Sequence, residues 1–375
     1  MNENDTKTFN STVYRSEVTK MRERKESVHD KGQQVYRETG QLAKEVNIFG
    51  AKRLSRNAMV NNGNGTCTLI NGIKLPIISG TDGTGSMGEN VAKAFYAMEK
   101  IYSILGATKD RYQIDLSVAI LQDVCDPHPV FQMAEFESDN RAAEHVRLLV
   151  PDKDGGDPTE DYDLGLYYVD KYVETDITNY GLKGYFFVVA DQIGRGEVNS
   201  TKVDKHLGHS MQGSEVSTKE ICCNLLDKWH LFYIQVKSND SGVMNWWTNK
   251  MGNGRVIYVS DPDLLAEVQA GLIYVTETLE PTEEGLFDFL KAGDGNRKIN
   301  NYQAKEVWGY LQSAKRHFGA QAKLPGYNNI PKPGSVFADY RDVWPIGYDE
   351  DKKVIEVSEK TPTSSKPIDW GNLGN

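Results

Sequence analysis

An α/β chain built on a doubly wound, mostly parallel central sheet flanked by helices is the fold class that this sequence predicts. Three observations carry the prediction. Apolar runs of strand length recur along the chain, among them Ile114 to Val124, Tyr185 to Ala190, Leu231 to Val236 and Val256 to Val259. Strands covered on both faces read as such continuous runs rather than as alternating patterns. Stripes at helical spacing lie between them, and strand and helix patterns in alternation are the mark of βαβ units. Finally, the run Ile77-Ile78-Ser79-Gly80-Thr81 and the run ending at Ala190 are each followed at once by an aspartate, Asp82 and Asp191.

Taken in order, residues 1–65 form a partly helical N-terminal arm. Met21, Val28, Val35 and Leu42 recur every seven positions, but Lys25, Lys31 and Gly32 leave the second apolar position of a coiled-coil seam unfilled, so one or two helices are expected. Asn61-Asn62-Gly63-Asn64-Gly65 is a turn-rich connector. Residues 66–280 make the sheet domain. Its first segment spans Cys67 to Leu75, and Pro76 favours an edge or a strand start, which predicts a short central strand.

After Asp82, Val91, Ala94, Phe95, Met98, Ile101, Tyr102 and Leu105 form an amphipathic helical stripe with Glu89 in its first turn. Ile114 to Val124 is the next strand, with Asp123 and Asp126 at its carboxyl end, either as a solvated turn or as the rim of a cleft. Val130 to Phe136 is expected as an antiparallel edge strand and Arg141 to Leu149 as a short helix. The Gly155-Gly156-Asp157-Pro158-Thr159 loop leads into a helix carrying Leu164, Leu166, Tyr167, Val169 and Tyr172. A polar insertion from Gly194 to Gly213 follows Asp191. Its His206 and His209 lack a matched Cys or carboxylate set and read as surface residues.

His230 begins the next strand, Val243 to Asn249 reads as a helix with Trp246 and Trp247, and Leu264, Leu265, Val268 and Leu272 form a stripe that caps the sheet. Residues 281–355 form a helical and irregular extension. Ala304, Val307, Trp308, Leu311, Ala314 and Phe318 are spaced as one helix that packs beside the main domain, and Val336, Phe337, Tyr340 and Trp344 are anchors for an extended piece. Residues 356–375 read as a flexible tail.

Chemistry concentrates in Asp82-Gly83-Thr84-Gly85-Ser86-Met87. A strand ends in a carboxylate, and two hydroxyl residues follow at alternate positions in a glycine-rich turn. Gly83 and Gly85 tolerate positive φ and close backbone approach. Hard cations such as Mg²⁺ accept carboxylate, hydroxyl and water oxygens, so the loop is half of a cation site. The remainder is expected from other strand ends, because the loops at the carboxyl edge of an open α/β sheet converge. Thr159 and Asp191 meet that demand, and Asp157 is an alternative to Thr159. Taken singly, Asp82 and Asp191 also suit helix caps or turn amides.

This set resembles the metal-ion-dependent adhesion site of the von Willebrand factor A (vWA) family. That motif joins an Asp-x-Ser-x-Ser loop, a Thr from a second loop and an Asp after a later strand. Asp82, Thr84, Ser86, Thr159 and Asp191 are the matching residues. Thr84 stands in place of the first Ser, as in the Asp-x-Thr-Gly-Ser-Met variant of intracellular and microbial members, and Asp191 lacks the Gly that often follows. The resemblance implies a bound Mg²⁺, with Mn²⁺ or Ca²⁺ as alternatives. It implies Ser86 and Thr84 or Thr159 beside the ion, waters held by Asp82 and Asp191, and a last position filled by an acidic side chain of a protein partner.

Composition bounds the function classes. The 375 residues carry a net charge of −10, with Lys and Arg dispersed, which argues against extended nucleic-acid binding. No apolar run approaches the roughly 18 residues of a membrane helix. The opening Met1-Asn2-Glu3-Asn4-Asp5 lacks the order of a secretion signal, and Cys67, Cys125, Cys222 and Cys223 form no disulfide or metal-knuckle pattern. A cytoplasmic location is expected, or a host cytoplasm or virion for a phage-encoded chain. No Walker loop, nucleophile elbow or paired His supports catalysis. The expectation is a non-enzymatic adaptor that binds protein through a cation, with an AAA+ ATPase as one candidate partner. Its alternatives are a structural assembly or phage particle using the domain as scaffold, homo-oligomeric or not, and a metal-dependent phosphohydrolase.

Overall fold

The computed structural model describes residues 9–87, 93, 100–102, 104–105, 112–152, 159–291, 299–318, 330–337, 348–349 and 354–355. A mixed six-stranded sheet organises them. Its strands are β1 (Ile73–Asp82), β2 (Tyr112–Leu121), β3 (Phe131–Met133), β4 (Gly184–Ala190), β5 (Trp229–Gln235) and β6 (Val256–Tyr258), and they lie side by side in the order β6-β5-β4-β1-β2-β3. All neighbours pair parallel except β3, the antiparallel edge. The order runs outward from β1 in one direction and then from β4 in the other, so the chain reverses between these two central strands. Ligands of doubly wound sheets sit at that reversal, beyond the carboxyl ends.

Strand periodicity sorts the core into two layers. Along β4, Tyr185, Phe187 and Val189 join one apolar cluster while Phe186, Val188 and Ala190 join the other, as the two-residue repeat of a strand requires. One face is covered by α4 (Tyr162–Tyr172), α5 (Thr218–Lys228) and α6 (Ser241–Met251), through residues such as Tyr168, Leu225 and Trp247. The other is covered by α7 (Leu265–Glu277), with α8 (Glu283–Lys291), α9 (Asn301–Tyr310) and α10 (Gln312–His317) behind it.

The terminal regions pack onto the same body. The helix α1 (Ser11–Glu23) and the turn leading into α2 (Asp30–Thr39) bring Tyr14, Met21 and Val28 into the cluster that covers β1. Gly32 lies against the backbone after α3 (Arg141–Val146), where a Cβ would stand 2.4 Å from the Leu148 carbonyl oxygen. Arg53–Ser55 pairs with Val173–Thr175, and Val336–Phe337 adds to Cys67–Leu69. Among the described residues no helix is long and apolar enough to cross a membrane.

Three local expectations are corrected. The Cys67 to Leu75 segment divides: Cys67–Leu69 belongs to a separate three-stranded sheet, and the central strand starts afresh at Ile73. That strand is long, ten residues, and runs through Pro76. The proline is accommodated because the ladder to β4 begins only at Ile77, leaving one flank of Pro76 outside the paired register. The stripe from Ala304 to Phe318 is two helices that part at Leu311, although Ala304, Val307, Leu311 and Ala314 are all buried as the stripe predicts. The expected helix after Asp82 is described only in part, with Lys93, Lys100, Ile101, Tyr102, Ile104 and Leu105 helical; Glu89 lies outside the described residues, as do Tyr340, Trp344 and the tail.

Candidate functional site

Asp82 ends β1 and Asp191 follows β4, on the two strands that flank the chain reversal. Their last registered pair is Thr81 with Val189, so the two carboxylates leave the sheet side by side. Both are buried. The Asp82 carboxylate is fully engaged: Oδ1 accepts from the Thr84 backbone N–H at 2.8 Å and from the Thr84 hydroxyl at 2.7 Å, and Oδ2 accepts from the Tyr162 hydroxyl at 2.7 Å. Burial pushes the Asp82 carboxyl up to about 6 and the charge of Asp191 adds to the rise, while the Thr84 and Tyr162 bonds oppose it.

The turn after Asp82 is shaped by close approach. Gly83 is absent from the positive-φ glycines, but a Cβ there would sit 2.3 Å from Ile120 Cγ2 and 2.8 Å from Gln122 Oε1. Only glycine lets the loop lie down against the end of β2. Gly85–Met87 then forms a short 3₁₀ turn, with Gly85 exposed at the surface. Ser86 belongs to that turn, and its side chain lies outside the described part of the structure.

The second loop meets the third through backbone pairing. Thr159 pairs with Ile193 and Glu160 with Gly194 in a two-residue parallel bridge, which sets Thr159 and Glu160 against the segment just past Asp191. Asp157 lies outside the described residues. The structure therefore places Asp82, Thr84, Thr159 and Asp191 on loops that share one end of the sheet.

Glu160 is the residue that the sequence reading missed. It is buried, and its Oε2 atom has no hydrogen-bond partner. Burial pushes its carboxyl up to about 8, helped by the charges of Asp82, Asp123, Asp126 and Asp191. A buried carboxylate oxygen facing further carboxylates and lacking a donor is the situation a cation relieves. Its position beside Thr159 was the available signal.

Three consecutive residues where α4 begins tie the site loops together. Asp161 accepts from the Val124 backbone N–H at 3.2 Å and pairs with Lys202 and Arg195. Tyr162 holds Asp82. Asp163 accepts from the backbone N–H groups of Arg195 at 2.6 Å and Gly196 at 3.3 Å, and from the Thr218 hydroxyl. Arg195 also reaches Asp123 at 2.5 Å. Asp123 and Asp126 form a turn, in which Asp126 accepts from the Asp123 N–H at 2.9 Å, and both charges act on Glu160. The insertion after Asp191 is thus bound to the loop after β2 by the Arg195–Asp123 ion pair and to the start of α4 by the pairs of Asp161.

His206 and His209 do not act together. The His209 ring stacks on Tyr172 with centroids 3.7 Å apart and its Nε2 meets the Ala51 carbonyl, while His206 is half-buried. Among the described residues no three His, Cys, Asp or Glu side chains close on one point as a metal cage. Thr84, Thr159, Glu160 and Asp191 are the oxygen-bearing side chains on the segments at this end of the sheet, and of these the buried Oε2 of Glu160 has no hydrogen-bond partner.

No protein-family model matches the chain, and no curated protein matches it. Solved structures similar to it include the pilus adhesin SpaC from Lactobacillus rhamnosus GG in its open conformation, at 11% identity and a TM-score of 0.40 over 63% of this chain and 33% of the adhesin. A second form of that adhesin has 12% identity and a TM-score of 0.39 over 63% of this chain and 34% of its own. A von Willebrand factor type A protein from Catenulispora acidiphila has 14% identity and a TM-score of 0.31 over 61% of this chain and 48% of its own. The chain spans between a third and a half of these proteins' lengths. It is the strand order and the placing of Asp82 and Asp191 within this chain that bear on its site.

Proposed function

We propose that the chain is a non-catalytic protein-recognition module whose contact depends on a divalent cation, Mg²⁺ in the first instance. The observation that carries this reading is Glu160: a buried carboxylate with an unpartnered oxygen, set among Asp82, Asp123, Asp126 and Asp191 where the sheet reverses. Thr84, Thr159 and Ser86 would supply hydroxyl oxygens to the ion, and Asp82, Asp191 and Glu160 would offset its charge directly or through water. A bound cation supplies a Lewis-acidic position for an acidic side chain of a partner. The chain's own part is to hold the loops fixed through Asp161, Tyr162 and Asp163, with the exposed Gly85 as the point of approach for that side chain.

The supporting features favour recognition over hydrolysis. Asp82 has both oxygens committed to Thr84 and Tyr162, so it serves to brace the loop rather than to take a proton from a nucleophile. Affinity capture from the native cell, with Mg²⁺ or a chelator and with the parent or Asp82→Ala, tests the reading. Capture by the parent in Mg²⁺ alone supports it, and equal capture in all four conditions rejects it. A captured AAA+ ATPase or its client would identify an adaptor, whereas a particle or homo-oligomer that persists in chelator would identify a scaffold. Mg²⁺-dependent phosphate release lost in Asp82→Ala would replace recognition with catalysis.

A further inference from the structure

The turn that leaves β5 carries a strained residue aimed at the candidate site. Lys237 has φ of +72°, and the only other described non-glycine residue with positive φ is Lys25. The Ser238 N–H donates to the Val236 carbonyl at 2.8 Å, closing a three-residue γ-turn around Lys237, a conformation that L-residues adopt rarely and under strain. The surroundings hold that turn in place. Gln235 Nε2 donates to the Ser238 carbonyl at 2.7 Å, and the Val236 N–H donates to the carbonyl of Ala190, the residue before Asp191, at 3.1 Å.

The outcome is that the Lys237 ammonium lies 3.3 Å from Asp191 Oδ2. The lysine side chain is 53% exposed and the aspartate side chain 3%, so a single positive charge comes in from solvent onto a buried carboxylate. A lysine on an unstrained turn could also reach this buried carboxylate from solvent, so the pair by itself does not require the strained turn. A backbone held in an unfavourable state to present it points to a role for the charge at this position.

We propose that Lys237 is a specificity-determining residue: its ammonium stands in for the cation at Asp191, and a divalent ion binds by displacing it. Asp191 is then never left bare, and the lysine sets the threshold that an ion must exceed. A divalent ion brings twice the charge and several coordination positions against one ammonium, whereas a monovalent ion has no such advantage. The displaced side chain stays tethered at the rim through the same turn. This inference rests on the reading of the site as a cation site.

Titration of Mg²⁺ into the full chain, followed by calorimetry, tests it with Lys237→Met, Lys237→Arg and Lys237→Gly beside the parent. Met removes the charge and keeps the strain, Gly removes both, and Arg keeps the charge. Removing one positive charge next to a divalent ion in a solvent-accessible site should tighten Mg²⁺ binding about tenfold in Lys237→Met and Lys237→Gly and leave Lys237→Arg within about twofold of the parent. If Met does not fold, Gly reads the same charge effect with the turn relaxed. Mg²⁺ binding by the parent with no tightening in Met or Gly overturns the role of Lys237 and leaves the cation site standing. An equal gain in Lys237→Arg would assign the effect to shape and overturn it as well. No binding by the parent or any variant overturns both readings together.

Discussion

Replacing Glu160 by Gln keeps the shape of the side chain and removes its charge, and the structure fixes what should follow. The Glu160 carboxyl is pushed from its usual 4.5 up to about 8, first by burial and then by four neighbouring carboxylates. The folded chain therefore retains a proton that the unfolded chain releases, so stability is full below pH 4.5 and declines as pH rises toward 8. At about 1.4 kcal/mol per pH unit, the parent at pH 7 has lost about 3 kcal/mol relative to pH 4.5 through this residue. Glu160→Gln does not titrate. In chelator the two proteins should match at pH 4.5, and the variant should be about 3 kcal/mol more stable at pH 7. Saturating Mg²⁺ should reverse the order, since an ion at a thousand times its dissociation constant adds about 4.1 kcal/mol to the parent and little to a variant without the carboxylate. Urea denaturation at the two pH values, with and without Mg²⁺, measures all of this. A variant no more stable than the parent at pH 7 in chelator would refute the account of Glu160 as a buried carboxyl that the fold keeps from ionising.

Other expectations follow from named contacts. Tyr162→Phe removes the donor to Asp82 Oδ2 and should destabilise the chain by about 1–3 kcal/mol, with weaker Mg²⁺ binding by calorimetry. Gly83→Ala places a methyl 2.3 Å from Ile120; overpacking of this kind costs about 1–3 kcal/mol, read as a lower urea midpoint, and the displaced loop should lose capture of the partner. Arg195→Ala leaves Asp123 and Asp161 with fewer partners and should loosen the insertion, seen as faster amide exchange over residues 194–200. Chelation should lower the melting temperature of the parent and leave that of Asp82→Ala unchanged.

The amino-acid sequence by itself determined what depends on neighbours along the chain. Apolar runs specified five of the six main strands to within a few residues, β1 being the exception, because a strand buried on both faces has almost no choice of composition. Strand ends specified Asp82 and Asp191. The edge strand at Phe131–Met133 and the helices at Tyr162–Tyr172 and Leu265–Glu277 were legible in the same way. Pro76 misled, since a proline is tolerated in a central strand where one neighbour has yet to begin, and where a neighbour begins is a property of the sheet. The rest was decided by contacts between residues far apart in sequence. Tyr162 meets Asp82 across 80 positions and Lys237 meets Asp191 across 46, and no local pattern records either meeting. Glu160 lay in plain view beside Thr159, yet its significance arises from burial among charges delivered by other loops, and only the closed sheet brings those charges together.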